Sequence, residues 1–497
     1  MKRIILSALA FISLMSCNTD FEKDVVDIKI TQGEADFSTY VALGNSLTSG
    51  YRDGAVYLDG QQESYPAIIA EQMRKAGGGE FTQPLVPDNI GGFAGMEGFS
   101  GKLTLKNVNG QLLPVPSVAK ANLDKVSGSF NNMGVSGAKS FHLLAPNYGD
   151  ASGLATKTAN PYFVRFASSP TTTVLQDAMA KKPTFFSLWI GNNDVLSYAI
   201  SGGVGVNQTG NLDVKTYASN DITDPQVLAG SIKNVLDGLK SVGATKGVIA
   251  NIPDVTTIPF FTTIPYNSIP LTEEESQQLN GGLLANLKVA LTHFGEGDRI
   301  VLTKAGQNPV LIKDESLKDL SGMLVMALKN AGVPDNEAEF LGKTYGQVRH
   351  ATNGDYILLT TKSILGTNPE TLPNFIYGAT YPLADAHVLT KNEVSEIQTA
   401  TNAYNQQIKA LAEMYGLAFV DANAKMKELN SNSGIKYNGV NFTTTFVRGG
   451  SFSLDGVHLT GKGYAVIANE FIKAINTKYQ STLPQVNPNQ YSGVIFP

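Results

Sequence analysis

Three side chains in this sequence have the residue types and spacing that nucleophilic catalysis needs. Ser46 follows a short apolar run and a glycine, so its hydroxyl is expected at an exposed strand-to-helix turn. His458 stands three residues after Asp455, a separation that lets the carboxylate reach the imidazole and fix its tautomer. Among the five histidines only His458 has an acid at that spacing, and His387, with Asp385 nearby, is the best competitor.

Acyl transfer also requires hydrogen-bond donors aimed at the oxygen that becomes negatively charged, each worth roughly 3 kcal/mol. The side-chain amide of Asn193 and the backbone N–H of Gly137, in a glycine-containing loop, are suitable donors. The alternative for Asn193, and for Asn132, is that their side chains only make turn hydrogen bonds, which is the commoner role of loop asparagines.

The elements that must position these residues alternate between strand and helix patterns. Strands are predicted at 40–43, 184–190, 247–251, 356–361 and 417–420. Helices are predicted at 65–75, 173–180, 227–242, 317–331, 392–415 and 463–479. This alternation predicts an α/β fold with a mainly parallel sheet, in which ligands bind at the carboxyl ends of the strands. Ser46, Gly137 and Asn193 are all expected near such ends.

Composition limits the function classes. The chain has 497 residues, of which 42% are hydrophobic, so a large folded core is expected and a disordered chain is excluded. Its 38 basic and 43 acidic residues give a net charge of −5, which argues against nucleic acid as a partner. A single cysteine and five scattered histidines show no metal-ligand spacing, so neither a metal nor another cofactor is predicted.

The N-terminus predicts secretion and lipidation. Lys2 and Arg3 precede an eleven-residue apolar segment, and Cys17 follows in a sequence that resembles a bacterial lipobox. We therefore predict a signal peptide over 1–16, a lipidated Cys17 and a flexible tether over 17–36. The alternative is an ordinary secretory signal with an incidental cysteine. Lipidation would make the chain an outer-membrane lipoprotein of a Gram-negative bacterium, on the periplasmic or cell-surface side.

Four sequence blocks together resemble a known family. Val41–Tyr51 (VALGNSLTSGY), Asn132–Gly137 (NMGVSG), Gly191–Asp194 (GNND) and Asp455–Thr460 (DGVHLT) are similar, in this order, to the conserved blocks of GDSL lipases/esterases, the SGNH hydrolase superfamily. The resemblance covers about 38–54, 126–140, 172–256 and 390–475. It implies a three-layer α/β/α sandwich with a flavodoxin-like sheet.

The resemblance also implies a role for each matching residue. Ser46 would be the nucleophile, His458 the general base and Asp455 the residue that orients the histidine. The oxyanion hole would consist of the N–H of Ser46, the N–H of Gly137 and the side-chain amide of Asn193. One departure is Asn45, which stands where the family usually has aspartate, so a charge is lost while the hydrogen-bonding oxygen is kept.

These features predict a hydrolase domain over 37–481, with insertions at about 76–125, 205–225 and 257–385, followed by a C-terminal coil over 482–497. The expected activity is hydrolysis of lipid or other acyl esters through an acyl-enzyme. The apolar segment 258–266 would be an acyl-chain groove or membrane-facing lip, or alternatively a packed loop.

Two other functions remain open. One is a carbohydrate O-acetylesterase, which would have a short polar pocket. The other is a weakly catalytic lipoprotein that binds hydrophobic ligands or an outer-membrane transporter, which makes an outer-membrane protein a further expected partner.

Overall fold

The computed structural model describes residues 29–497 except Asn109. The predicted signal peptide over 1–16 and the lipidation site Cys17 lie outside the described residues. The centre of the fold is a five-stranded sheet in which every neighbouring pair of strands is parallel. In spatial order its strands are β13 (Ala418–Val420), β6 (Lys246–Ala250), β5 (Phe185–Trp189), β1 (Tyr40–Gly44) and β4 (Asn132–Gly134). The predicted parallel α/β architecture is confirmed.

Successive residues of β1 point to opposite faces of the sheet, and both faces are covered by helices. Val41 and Leu43 belong to one hydrophobic cluster, together with residues of the helices that follow β4, β5 and β6. Tyr40 and Ala42 belong to a second cluster on the other face, where the helix after β1 and the last helix of the chain pack. The result is the predicted three-layer α/β/α sandwich.

The remaining strands form small two-stranded sheets outside the central one. They pair as β2 (Gly101–Val108) with β3 (Gln111–Ser117), β7 (Ile269–Leu271) with β8 (Gly306–Asn308), β9 (Leu311–Lys313) with β10 (Val348–His350), β11 (Tyr356–Ile357) with β12 (Val388–Leu389), and β14 (Ile435–Tyr437) with β15 (Val440–Phe442). All five pairs are antiparallel.

Fifteen α-helices are found among the described residues. They are α1 (Ser46–Ser49), α2 (Leu58–Gln62), α3 (Tyr65–Lys75), α4 (Pro161–Val164), α5 (Val174–Ala180), α6 (Asn193–Ile200), α7 (Pro225–Ser241), α8 (Pro259–Thr262), α9 (Glu273–Leu279), α10 (Ala285–His293), α11 (Ser321–Asn330), α12 (Asp335–Tyr345), α13 (Lys391–Met414), α14 (Ala422–Leu429) and α15 (Gly461–Tyr479). Within the described ranges no helix has the length and apolar character to cross a membrane.

Two expectations about these elements are corrected. The strand predicted over 356–361 ends at Ile357, and a 3₁₀ turn over Leu359–Ser363 follows it. Residues 29–36 of the predicted flexible tether are mostly exposed, but hydrogen bonds join them to the end of α15 and to the segment that follows it. There the N–H of Glu34 donates to the Tyr479 carbonyl at 2.7 Å, and Ala35 is buried.

The predicted insertions contain the peripheral elements. The segment 76–125 is mostly irregular and carries the β2–β3 hairpin, whereas 205–225 is a loop with one short 3₁₀ turn. The segment 257–385 holds α8 to α12 and several short strands, with two hydrophobic clusters of its own. The segment 482–497 is coil with one 3₁₀ turn, and Leu483 in it is buried in the main domain.

Candidate active site

Ser46 lies at the turn between β1 and α1. The turn requires glycine at position 44, because a Cβ atom there would lie 2.4 Å from the Trp189 carbonyl oxygen of the adjacent strand. Asn45 caps α1, and its side-chain oxygen accepts a hydrogen bond from the Leu47 N–H at 3.1 Å. Ser46 is therefore the first residue of a short helix at the carboxyl edge of the sheet.

The structure brings Ser46, His458 and Asp455 together across 412 residues of sequence. The Ser46 Oγ lies 2.9 Å from His458 Nε2, and His458 Nδ1 lies 2.9 Å from Asp455 Oδ2. Both the histidine and the aspartate side chains are largely buried, at 13% and 14% exposure. The hydroxyl, the imidazole and the carboxylate are therefore linked in this order, which is the arrangement that activates a serine for attack on a carbonyl carbon.

Asp455 is held as a carboxylate by its surroundings. Burial by itself would raise its pKa, but the charge of His458 and the hydrogen bonds to His458 and Val457 lower it far below the usual value. Its Oδ1 accepts from the N–H groups of Val457 (2.9 Å) and His458 (2.8 Å), and its Oδ2 accepts from the Gly54 N–H at 3.0 Å. The ionised carboxylate can thus orient the imidazole and stabilise its protonated form.

Residues that the sequence prediction missed fix the loop that carries Asp455 and His458. The Ser453 hydroxyl donates to Asp455 Oδ1 at 3.1 Å and accepts from the Asp53 N–H at 2.9 Å. Asp53 in turn accepts from the Leu454 N–H at 2.9 Å. The ring of Tyr51 lies 4.5 Å from that of His458. Position 51 belongs to the first sequence block, whereas the other contacts join segments 400 residues apart that no local pattern connects.

Three hydrogen-bond donors face the space beside Ser46. Across residues 29–497 without Asn109, neither the Ser46 N–H nor the Gly137 N–H has a protein acceptor, and both residues line the same groove as Asn193. Asn193 begins α6, and its Nδ2 donates one hydrogen to the Ala138 carbonyl at 2.9 Å. Its second amide hydrogen remains available. Asn132 instead donates to the Thr48 carbonyl at 2.9 Å, which is the structural role considered for it.

The loop that carries Gly137 is fixed on both sides. Gly137 has a φ of 83°, a conformation that glycine adopts without strain. Asn160 Nδ2 donates to the Ser136 carbonyl at 2.8 Å, and the buried carboxylate of Asp194 accepts from the Ser140 hydroxyl (2.7 Å) and N–H (2.9 Å). Asp194 adjoins Asn193 in α6, so its hydrogen bonds to Ser140 fix the position of the Gly137 loop relative to Asn193.

Asn45 makes a contact that the aspartate usual in the family could not make. Its Nδ2 donates to Asn192 Oδ1 at 3.2 Å, while its own Oδ1 caps α1. The turn is therefore formed with asparagine at this position, and the uncharged side chain links the first and third sequence blocks.

A groove of about 960 Å³ opens at Ser46, and we call it the outer groove. Ser46, Gly137, Asn193 and His458 all line it. Most of its other walls are apolar, and many come from the β2–β3 hairpin and from the loops around it: Phe99, Leu103, Leu105, Leu112, Leu113, Pro114, Tyr162, Ile200, Phe260, Phe446 and Val447. A substrate at Ser46 is thus surrounded mainly by hydrocarbon.

The predicted groove or lip over 258–266 is mainly a packed segment. Phe260 lines the outer groove, but Phe261 is fully buried and Ile264 belongs to a hydrophobic cluster of the insertion. The Phe260 N–H donates to the Gly456 carbonyl at 2.9 Å, so the segment supports the histidine loop.

The other histidines do not contribute to the site. His387, the competing candidate, lies 3.4 Å from the Thr361 hydroxyl and does not line the outer groove. Burial lowers the pKa of His142 to about 3 and that of His350 to about 4, so both are neutral core residues. Residues 29–497, Asn109 aside, contain no cluster of side chains suited to a metal ion.

Comparison with known proteins supports a particular family. The GDSL-like lipase/acylhydrolase family profile matches residues 319–471, which include Asp455 and His458. No protein with curated function matches the chain.

Among solved structures, the acetylxylan esterase Axe2 from Geobacillus stearothermophilus is 10% identical, with 90% of this chain and 98% of Axe2 covered at a TM-score of 0.32. LAE5, an alpha/beta hydrolase enzyme from the metagenome of Lake Arreo in Spain, is 11% identical, with 89% and 96% covered at a TM-score of 0.31. Because both TM-scores are below 0.5, these two likenesses say nothing about the substrate of this chain.

The family match and the four sequence blocks agree with each other and with the site. The profile covers the last block, and the structure brings the residues of all four blocks to one edge of a parallel sheet. Residues 319–471 thus match the GDSL-like lipase/acylhydrolase family, and the arrangement of Ser46, His458 and Asp455 is that of a serine hydrolase of carboxylic esters.

Proposed function

We propose that the substrates are lipophilic carboxylic esters and that Ser46, His458 and Asp455 are the catalytic residues. The observation that carries this proposal is the 2.9 Å contact between Ser46 Oγ and His458 Nε2 at the end of an apolar groove. An alternative nucleophile would need a base within similar reach, and none of the other four histidines lines the groove.

The reaction follows from the positions of these atoms. His458 Nε2 accepts the Ser46 hydroxyl proton while Oγ attacks the carbonyl carbon, and Asp455 stabilises the resulting imidazolium. When the tetrahedral intermediate collapses, the bond to the alcohol oxygen breaks, and this oxygen takes the proton from Nε2. A water molecule activated by the same nitrogen then attacks the acyl carbon, which releases the acid and restores the Ser46 hydroxyl.

The negative oxygen of each tetrahedral intermediate would be stabilised by three donors. These are the N–H groups of Ser46 and Gly137, which have no acceptor in the described part of the chain, and the second amide hydrogen of Asn193. Because Gly137 and Asn193 are held by packed loops, they need no rearrangement when charge develops.

Apolar surroundings favour a lipophilic ester over an acetylated glycan. A sugar ring would require polar partners for its hydroxyl groups, because an unpaired hydroxyl in an apolar site costs several kilocalories per mole. Leucine, phenylalanine and valine supply twelve of the residues that line the outer groove and most of its exposed lining is hydrocarbon, although Gln111, Asn160 and Lys362 are among its polar residues. The carbohydrate O-acetylesterase and the non-catalytic lipoprotein are therefore outcomes that the experiment must distinguish.

The experiment is hydrolysis of p-nitrophenyl esters from acetate to palmitate by the wild-type chain and by Ser46→Ala. We expect turnover to be highest with medium or long acyl chains and to be lost in Ser46→Ala. Ser219→Ala, a change of an exposed serine that does not line the groove, is the matched control. A maximum at acetate would support the glycan esterase, equal rates for Ser46→Ala would contradict the catalytic assignment, and an inactive wild type would favour the binding lipoprotein.

We also propose that Cys17 is lipidated and that the protein is held at the bacterial outer membrane. The support is the basic, apolar and lipobox-like order of the first 17 residues. Metabolic labelling with radioactive palmitate tests this proposal. Label is expected on the wild type and not on Cys17→Ser, and equal labelling of the two would contradict it.

A further inference from the structure

A second cavity adjoins Ser46, and we call it the inner cavity. It has a volume of about 100 Å³, and Ser46 and His458 form part of its wall. The rest is almost entirely hydrocarbon, contributed by Trp189, Leu196, Ile258, Met426, Leu429 and Val466. These residues come from β5, α6, α14, α15 and the turn before α8. The inner cavity is thus built by several packed elements and is not a gap under a single loop.

The polar groups along this cavity are nearly all engaged elsewhere. The Lys425 ammonium pairs with Glu428 at 2.6 Å and with Glu470 at 3.4 Å, so the face it offers the cavity is its hydrocarbon stem. The buried Ser451 hydroxyl is the exception, since it has no partner among the described residues. A polar ligand would find almost nothing to bind, and apolar cavities of this kind stay free of water.

We infer that the inner cavity binds the acyl chain of the substrate and that the alcohol portion lies in the outer groove. This inference rests on the proposed function and adds to it the place of each half of the ester. It follows from the order of bond breaking, in which the acyl group stays attached to Ser46 after the alcohol has left. A small apolar cavity beside Ser46 fits the half that stays, whereas the larger outer groove gives water a path to the acyl carbon.

The outer groove and the inner cavity differ in volume and in lining, as this order of bond breaking requires. The outer groove is about 960 Å³ and carries the candidate oxyanion donor Gly137, whereas the inner cavity is about 100 Å³ and apolar. Each methylene that enters the inner cavity should raise kcat/KM about fourfold until the cavity is full. Longer chains should then gain nothing or lose activity.

Trp189 provides a direct reporter, because it is the only tryptophan in the chain and it lines the inner cavity. The probe is p-nitrophenyl 3-bromopropylphosphonate, whose short chain suits a cavity of about 100 Å³, with the bromine-free compound as reference. Ser46 Oγ bonds to phosphorus, p-nitrophenolate leaves with the bonding electron pair, and His458 takes the serine proton. The alkyl chain on phosphorus then occupies the place of the acyl chain, and bromine quenches indole fluorescence at contact.

We expect the brominated adduct to be at least twofold less fluorescent than the reference adduct. Equal fluorescence of two fully labelled proteins, with labelling of Ser46 verified by mass spectrometry, would overturn the inference and leave the proposed function intact. Absence of an adduct on Ser46 in a protein that hydrolyses esters would overturn the proposed nucleophile, and the inference with it.

A substitution gives an independent test. Leu429→Phe narrows the inner cavity, so the ratio of kcat/KM for butanoate to that for acetate should fall about tenfold. Met414→Phe is the matched control, because Met414 is 69% exposed and lines neither cavity. An unchanged ratio in a Leu429→Phe protein with wild-type Tm would contradict the placement of the acyl chain.

Discussion

Replacing Asp455 by asparagine should reverse the tautomer of His458. The carboxylate accepts five hydrogen bonds, from His458 Nδ1, Gly54 N–H, the N–H groups of Val457 and His458, and the Ser453 hydroxyl. An asparagine amide can replace only one of the two oxygens. With its NH₂ group at the Oδ2 position, it faces Nδ1 and the Gly54 N–H. Nδ1 must then accept a hydrogen bond from the amide, so the ring hydrogen moves to Nε2, opposite Ser46 Oγ.

The structure also sets the magnitude of this effect. With hydrogen on Nε2, His458 can no longer take the serine proton, and the loss of kcat should be about 10³- to 10⁴-fold. The opposite amide orientation would place NH₂ against two backbone N–H groups, so it does not rescue the base. The unpaired Gly54 N–H adds a loss of about 1–3 kcal/mol in unfolding free energy.

The assay is kcat on a p-nitrophenyl ester, together with urea unfolding at several pH values. Because the native pKa of Asp455 lies below its unfolded value of about 3.9, its stabilisation is fully present above that pH and is lost as the pH falls through the native value. The stability gap between wild type and Asp455→Asn should therefore be present at pH 5 and shrink in stronger acid.

Asp53→Asn is the control for this prediction. Asp53 accepts from the Leu454 N–H and the Tyr57 hydroxyl and makes no hydrogen bond to His458. It should lower stability and reduce kcat by less than tenfold. If Asp455→Asn kept more than a tenth of wild-type kcat, the tautomer argument would be refuted. If Asp53→Asn were as inactive as Asp455→Asn, the position of the loop would explain both.

Three further changes have defined outcomes. Asn193→Ala should lower kcat about 10²- to 10³-fold with little change in Tm, which steady-state kinetics and thermal unfolding would measure. The buried carboxylates of Asp314 and Asp355 lie 2.6 and 2.7 Å from the Arg349 guanidinium. Arg349→Met removes this partner from both, so the free energy of unfolding measured in urea should decrease by about 3–5 kcal/mol. Burial and neighbouring carboxylates raise the pKa of Asp385 to about 7 in the native state. The free energy of unfolding of the wild type should therefore decrease as the pH rises from 4 to 7. In unfolding curves recorded at several pH values, Asp385→Asn should show a smaller decrease.

Much of the fold could be predicted because its signals are local. The strands β5 and β6 are buried and mainly apolar, and α13 begins and ends within one residue of its predicted bounds. The strand predicted over 356–361 is too long, because a local signal such as a short apolar run does not reveal how far a partner strand extends. Here β12 is two residues long, and pairing stops at Ile357.

Only the site residues that lie within the four sequence blocks could be predicted. Ser46, His458 and Asp455 each lie in a block, but Ser453 and Gly54 act through contacts between segments 400 residues apart. Ile258 lines the inner cavity and lies in the segment predicted as an acyl-chain groove, whereas Met426 and Leu429 on α14 have the pattern of ordinary core residues and were not predicted. Their position beside Ser46 depends on how α14 packs after β13.

In the proposed mechanism, hydrolysis proceeds through an acyl group on Ser46. Mixing the protein with a p-nitrophenyl ester, quenching with acid within one turnover and analysing peptides by mass spectrometry tests this claim directly. We expect one acyl group on the peptide that contains Ser46, and no acyl group in Ser46→Ala, which should also be inactive. An acyl group on a different residue, or hydrolysis that continues in Ser46→Ala, would contradict it.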